Sequence, residues 1–189
     1  LDAAWQAAPE DTLTDQMRSL MDNALARDLV VWIDNRSEGA EHAVFGEVFF
    51  TNRFGANAAQ SSRTTDYRQD DEVWWQRAMQ DGLYVTDVDF DTSAGIYSID
   101  ICLRVDEEDG DTLGVLKAVM NIQEVFSVID HRSRRSDTGN GLMLLTATGR
   151  IIRIGNTPSD PLADGSYYLN SAGLGPALPE VSVCYADPV

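Results

Sequence analysis

At 189 residues, with 43% hydrophobic and 24% charged, the chain has a globular composition and is long enough to bury a core without staples. Its 31 acids against 14 Lys and Arg leave a formal charge of -17. That balance argues against nucleic acid, whose phosphates need clustered cations, and against docking on an anionic membrane leaflet.

The stretch "TLTDQMRSLMDNALARDLVVWID" predicts one long first helix, running to about Ile33, with Leu13, Met17, Leu20, Met21, Ala24 and Leu25 on one face. Thr12 with Asp15 three residues on resembles a capping box. "AVFGEVFFTNRFGANAAQSS" reads as a hairpin turning at Asn52-Arg53-Phe54-Gly55, where glycine can take the left-handed conformation of a tight reversal. "DEVWWQRAMQD" reads as the second helix, capped by Asp70 or Asp71 and stopped by Gly82. Three strands are expected next: "LYVTDVDFD", "GIYSIDICLRV" and "TLGVLKAVMNI", the last two joined by the polar turn "DEEDGD". A short helix, "NIQEVFSVIDHR", with Ile122, Val125, Phe126 and Ile129 along one side, closes a domain of residues 1–131. A linker at 132–141 then leads to a smaller lobe, 142–189, opening with the hairpin "LMLLTATGRIIRIG", which turns at Thr148-Gly149. Helices set against one antiparallel sheet make the fold class α+β. The apolar runs are strand-sized, the first residue is Leu and no signal-peptide pattern is seen, so the chain reads as a piece whose membrane or targeting segments lie outside it.

No constellation of catalytic residues emerges. His42 and His131 sit in no nucleophile or metal motif, and there is no G-x-S-x-G, P-loop or H-E-x-x-H, so an enzyme is not expected. Cys102 and Cys184 give neither zinc spacing nor a disulfide framework and read as free thiols. Asp87, Asp89 and Asp91 have the opening spacing of a calcium loop, but Thr92 stands where its glycine belongs and Ser98 where its last glutamate belongs, so acids on a solvated strand end are the expectation. No cofactor or metal is called for. A pocket is. "TTDYRQDDEVWWQRAM" places a tyrosine, acids and a tryptophan pair at the entrance of one helix, and pockets combine aromatics with a few polar groups. Trp74 and Trp75 point about 100° apart, so one is expected in the core and the other along a cavity. On the strands, Tyr97, Ile99, Ile101, Leu103 and Val105 share one face of the second, and Ser98, Asp100, Cys102 and Arg104 the other. Val115, Lys117, Val119 and Asn121 share a face of the third. Asp100 and Lys117 can meet across the ladder, either as an exposed pair of little consequence or as the counter-charge of a ligand; on spacing alone the exposed pair is favoured.

The run from Val44 to Asp130 resembles a Cache domain: the hairpin with its Gly, "DY…WW..A" at the helix entrance, "D.SAG" before a long strand and "LGVLK" opening the next. Cache domains are PAS-like extracytoplasmic sensors of chemoreceptors and sensor histidine kinases. The resemblance implies a long N-terminal helix packed on a PAS-like antiparallel sheet, with the smaller C-terminal β-hairpin lobe resembling the start of a second unit. It implies a role in ligand sensing for signal transduction, as in two-component systems, outside the cytoplasm, with membrane contact only through segments beyond this chain. It also implies small-molecule binding, passage of a conformational signal, and a homodimer through the N-terminal helix. The site residues expected are Tyr67, Trp74, Trp75, Phe90, Asp100 and Lys117, with Arg63, Glu72 and Tyr97 beside them. The branch that senses amino acids carries an Arg-x-Trp-aromatic motif. Here Glu72 stands at the Arg position, Phe90 near its later Tyr and Val119 near its amine-binding Asp, so amino-acid binding is not carried over. Glu72 with aromatics would suit an amine; Lys117 would suit an organic acid. The alternative is a dimerisation or interaction module with a degenerate pocket, its aromatics plain core.

Overall fold

The computed structural model describes residues 1–9, 11–40, 42–91, 96–123, 125–126, 129, 143–146, 149–154 and 162–167, without the side chains of 90, 153 and 154. Two compact units emerge, Leu1–Thr86 with Phe90–Asn121, and Asp87–Asp89 with Ile122–Val189.

In the first unit the expected long helix is broken. A short α1, Asp2–Gln6, precedes α2, Asp15–Met21, and α3, Ala24–Ser37. Asn23 makes the break: in extended conformation, its side-chain oxygen accepts from Ala26 N at 2.9 Å and starts a new helix. Asparagine competes with the helical backbone in this way wherever it can cap. Because the register restarts there, Leu25 is exposed and the inward stripe becomes Ala26, Leu29 and Ile33. The capping box of α2 is Thr14 with Met17, not Thr12 with Asp15.

The hairpin follows as expected, β1 at Phe45–Asn52 and β2 at Asn57–Gln60. Gly55 turns it with φ +77, and its N–H donates to Asn52 O at 2.9 Å. A Cβ on Gly55 would lie 2.5 Å from that of Asp70, so the loop that leads into the next helix closes directly over this turn. That helix is α4, Val73–Asp81, ended by Gly82 at φ +84. Glu72, rather than Asp70 or Asp71, is its N-cap residue; Asp70 is held instead by the Arg68 guanidinium.

The stretch read as one strand from Leu83 to Asp91 is two, β3 at Leu83–Val85 and β4 at Asp89–Asp91. Between them Thr86 Oγ1 accepts from Asp100 N at 2.8 Å and Asp87 Oδ1 from Val88 N at 2.9 Å, side-chain bonds that interrupt the ladder. β5, Ile96–Asp106, and β6, Thr112–Asn121, are the long central pair, turning at Gly110. The sheet runs β2-β1-β6-β5-β3, antiparallel along that path, with β4 paired off it to β5.

The sheet's two faces are covered by different helices. One carries Val48, Ala59 and Ala118 and receives α2 and α3, with Trp32 packed on Phe45 at 4.8 Å between ring centres. The other carries Phe49, Cys102 and Val115 and receives Trp74 and Ala78 of α4, with Trp75, Met79 and Tyr84 at its edge. In the second unit, β7 (Met143–Leu145) and β8 (Ile151–Ile154) pair as the expected hairpin, with Gly149 at φ +83. The expected linker, Thr148, Cys184 and most of the tail lie outside the described residues, as does part of the helix expected after β6.

Candidate functional site

The α4 face of the sheet is polar at its centre. Antiparallel register sets Gln60, Phe49, Lys117, Cys102 and Tyr84 in one row across all five strands. In the next row on the same face lie Glu47, Val119 and Asp100. Glu47, Thr51, Asn57, Gln60, Ser98, Lys117 and Asn121 are all buried. On β5, then, it is the mixed face that lies under α4, while Leu103 of the apolar face is 45% exposed. A sheet face that keeps so many polar side chains out of water is built for more than packing, since each must find a partner.

Lys117 and Asp100 do meet, Nζ to Oδ2 at 2.9 Å, with side chains only 11% and 18% exposed, so the pair is not the solvated one that spacing favoured. The ammonium also lies 4.8 Å from the ring centre of Trp74 and 5.8 Å from that of Phe49, within cation–π range of both. These two rings meet edge to face at 5.8 Å. Burial pulls the Lys117 ammonium down, but Asp100, together with Cys102 and Glu47, outweighs it and holds the group above the ordinary lysine range. Burial pushes the neighbouring Cys102 thiol up to about 12, with Lys117 opposing and Asp100 adding, so it is a neutral thiol here. Trp75 donates its indole N–H to Thr51 Oγ1 at 2.9 Å, which fixes the second tryptophan on the same side as the first.

At the β2 end of the row, Asn57 Nδ2 donates to Thr64 Oγ1 at 2.8 Å, to Asp66 O at 3.1 Å and to Gln60 Oε1 at 3.4 Å. Two buried atoms remain without a partner among the described residues, Asn57 Oδ1 and Gln60 Nε2. Orphaned polar atoms at such depth cost about 1–3 kcal/mol each unless something binds them.

The structure thus brings together Trp74, Trp75, Asp100 and Lys117 of the expected residues. Four others, Arg63, Tyr67, Glu72 and Tyr97, stand elsewhere. Arg63 holds the N-terminal segment, donating to the carbonyls of Trp5, Ala8, Pro9 and Thr12. Tyr67 packs on Trp5 with ring centres 5.7 Å apart, and its backbone N–H reaches Asp2. Glu72 is exposed at the start of α4, and Tyr97 alternates to the opposite sheet face from Asp100. Phe90 lies on β4, its side chain outside the described residues. Sequence reasoning missed Phe49, Asn57 and Gln60, for which the period-2 pattern of the hairpin was the available signal. Near the α4 entrance, burial, then the charges of Glu72, Asp2 and Asp71, raise the Asp66 carboxyl to about 6 against the opposing bond from Gln69. Among the described residues no cluster of three or more His, Cys, Asp or Glu is placed to hold a metal ion, and no helix is long and apolar enough to cross a membrane.

No family model matches the chain, and no curated protein matches it by sequence. Solved structures do match. The sensory domain of the Campylobacter jejuni chemoreceptor Tlp3 superposes with a TM-score of 0.60 at 17% identity, over 91% of this chain and 69% of that one. The ligand-binding domain of the Pseudomonas aeruginosa amino acid chemoreceptor PctC, in complex with GABA, gives 0.54 at 14% identity, over 95% and 72%. The extracellular domain of a putative histidine kinase, rpHK1S-Z16, gives 0.54 at 16% identity, over 82% and 65%. The chain spans about two thirds of the length of these structures, and its fold is the α+β fold of chemoreceptor and histidine kinase sensory domains, as the Cache resemblance implies.

Proposed function

We propose that the first unit is the small-molecule-sensing domain of a membrane signalling receptor, exposed outside the cytoplasm, with the ligand held non-covalently between the sheet and α4. The observation that carries this reading is the pair of buried atoms Asn57 Oδ1 and Gln60 Nε2, without a partner among the described residues, in a polar sheet face walled by Phe49 and Trp74. The fold supports the reading: Tlp3 has been solved with L-valine and PctC with GABA. The signalling output, whether kinase or chemoreceptor, would belong to other parts of the protein.

A thermal-shift screen against amino acids, amines, organic acids, amides, sugars and calcium tests it. A ligand at a hundredfold its Kd adds about 2.7 kcal/mol, which in a domain of this size raises Tm by roughly 5–10 °C. A response lost in Trp74→Ala supports the site; no response to any class sinks the reading in favour of an interaction module. That second reading has one observation of its own: α3 leaves the apolar side chains Leu25, Val30, Val31 and Trp32 at least 37% exposed, distributed around its solvent side, where a homodimer through this helix would cover them.

A further inference from the structure

The N-terminal residues hold to the rest of the first unit through one short segment, 63–68, which leads from β2 toward α4. Asp2 Oδ1 accepts from the backbone N–H groups of Tyr67 and Arg68 at 2.9 and 3.0 Å. Trp5, only 3% exposed, donates its indole N–H to Thr64 O at 2.9 Å and packs on the Tyr67 ring. In return Arg63 gathers the carbonyls of Trp5, Ala8, Pro9 and Thr12. Every hydrogen bond that residues 1–9, 11 and 12 make beyond themselves runs to this segment. A helix as short as α1 does not stand alone in water, so its order depends on this attachment. The same segment supports β2: Asn57 N donates to Tyr67 O at 3.0 Å and Asn57 Nδ2 to Thr64 Oγ1 at 2.8 Å.

One acid in this segment feels both sides of the attachment. The Asp66 carboxyl lies in the field of Asp2 from α1 and of Asp71 and Glu72 at the entrance of α4, and Gln69 donates to it. The cations of the region are engaged with other groups. Arg68, which also lies near Asp71 and Asp2, is paired with Asp70, and Arg63 with the carbonyls named above. Burial, then Glu72, Asp2 and Asp71, raise the Asp66 carboxyl to about 6. Lifting α1 would remove the Asp2 contribution, so the value is higher with the segment covered than with it open. Covering is therefore favoured most in acid, and that advantage is lost as pH rises through about 6.

We infer that residues 1–12 form a strap that lifts as one piece from the 63–68 segment while the sheet stays folded, and that Asp66 sets its hold, firmer in mild acid than at neutral pH. This device needs no ligand and stands apart from the small-molecule reading.

Hydrogen exchange of the whole chain, followed by NMR at pH 5 and pH 7.5, tests it. The reporters are the Trp5 indole N–H and the backbone N–H groups of Tyr67 and Arg68, read as protection factors so that the pH dependence of the chemical step is divided out. The three are expected to share one opening constant, at least tenfold larger than that of the β5–β6 amides. Their protection should fall at least twofold from pH 5 to pH 7.5. The rise from 3.8 to about 6 caps that fall at roughly 150-fold, reached only if lifting the strap undid all of it. Asp66→Asn should abolish the pH dependence, and Asp2→Asn, which keeps an acceptor and removes the charge, should reduce it. Trp5→Phe should lower the protection of Tyr67 and Arg68 at both pH values. Reporters as protected as the β5–β6 amides overturn the strap. Equal protection at the two pH values, or a pH dependence that survives Asp66→Asn, overturns the role of Asp66. A dependence unchanged in Asp2→Asn overturns Asp2 as the opposing charge. The wild-type arm decides both the separate opening and its pH response even if a variant does not fold.

Discussion

Replacing Asp100 by Asn removes one charge from the pair and keeps its shape, which isolates the electrostatics of the site. At 2.9 Å and an effective dielectric of about 20, the attraction lost is roughly 6 kcal/mol before hydration is counted. Hydration returns little, because the two side chains are only 11% and 18% exposed, and breaking one partner of such a buried pair costs about 3–5 kcal/mol. Tm should then fall by roughly 6–20 °C. The pH dependence carries the sharper signature. In the wild type the folded-state value of Lys117 lies above its ordinary 10.5, so its contribution is fully present below 10.5 and is lost only as pH rises through that higher value. With Asp100 neutral, burial dominates and the lysine falls below its unfolded value. The charged ammonium then opposes folding at pH 7, and stability rises as pH climbs through the lowered value toward 10. Urea denaturation at pH 7, 8, 9 and 10 would show Asp100→Asn sloping upward relative to a wild type that is flat to about pH 8 and declines above 9, where the Cys102 thiol ionises only in the unfolded chain. A variant that loses less than about 1 kcal/mol, with no slope relative to wild type, would mean that water reaches the pair and that the buried-cation argument is wrong.

Asp66 makes the opposite pH prediction. Its folded value of about 6 lies above its ordinary 3.8, so its favourable share is complete below 3.8 and is lost as pH rises through 6. Asp66→Asn should therefore gain about 1 kcal/mol at pH 7, discounted for its partial exposure, and the gain should vanish near pH 4 by the same denaturation assay. Trp75→Phe removes the indole donor to buried Thr51 Oγ1 and should cost about 1–3 kcal/mol in urea unfolding, with the fold retained by circular dichroism. Gly114→Ala would set a Cβ 1.8 Å from Thr51 O in the centre of the sheet; no side chain can yield there, and soluble expression should be lost.

Local signals in the sequence were enough where the physics was local. Gly55 and Gly82 take the left-handed conformations their positions call for, and the turn at Gly110 joins β5 to β6. Alternation put Lys117 on one strand face and Asp100 on another, and register made these the same side of the sheet. The break at Asn23 was hidden because the apolar spacing runs through it, while a single side-chain bond decides the matter. Phe49 and Gln60 join Lys117 only because β1 and β2 pair at one register among several, which alternation alone does not specify. Arg63 and Tyr67 read as pocket residues because no element was expected ahead of the first helix. The presence of α1 gives both of them other work.

The break at Asn23 also changes the mechanics of the N-terminal helices. A continuous rod would carry a displacement end to end, whereas α2 and α3 meet at a joint, and the joint is fastened. Asn23 Nδ2 donates to Ala58 O at 2.9 Å, while its Oδ1 caps α3. Ala58 lies between Asn57 and Gln60, so β2 carries the orphaned amides among its side chains and the joint's fastening on its backbone. A strand only four residues long separates the two. A ligand that draws Asn57 and Gln60 toward itself would pull on the hinge pin of the helices directly, with no relay through the core.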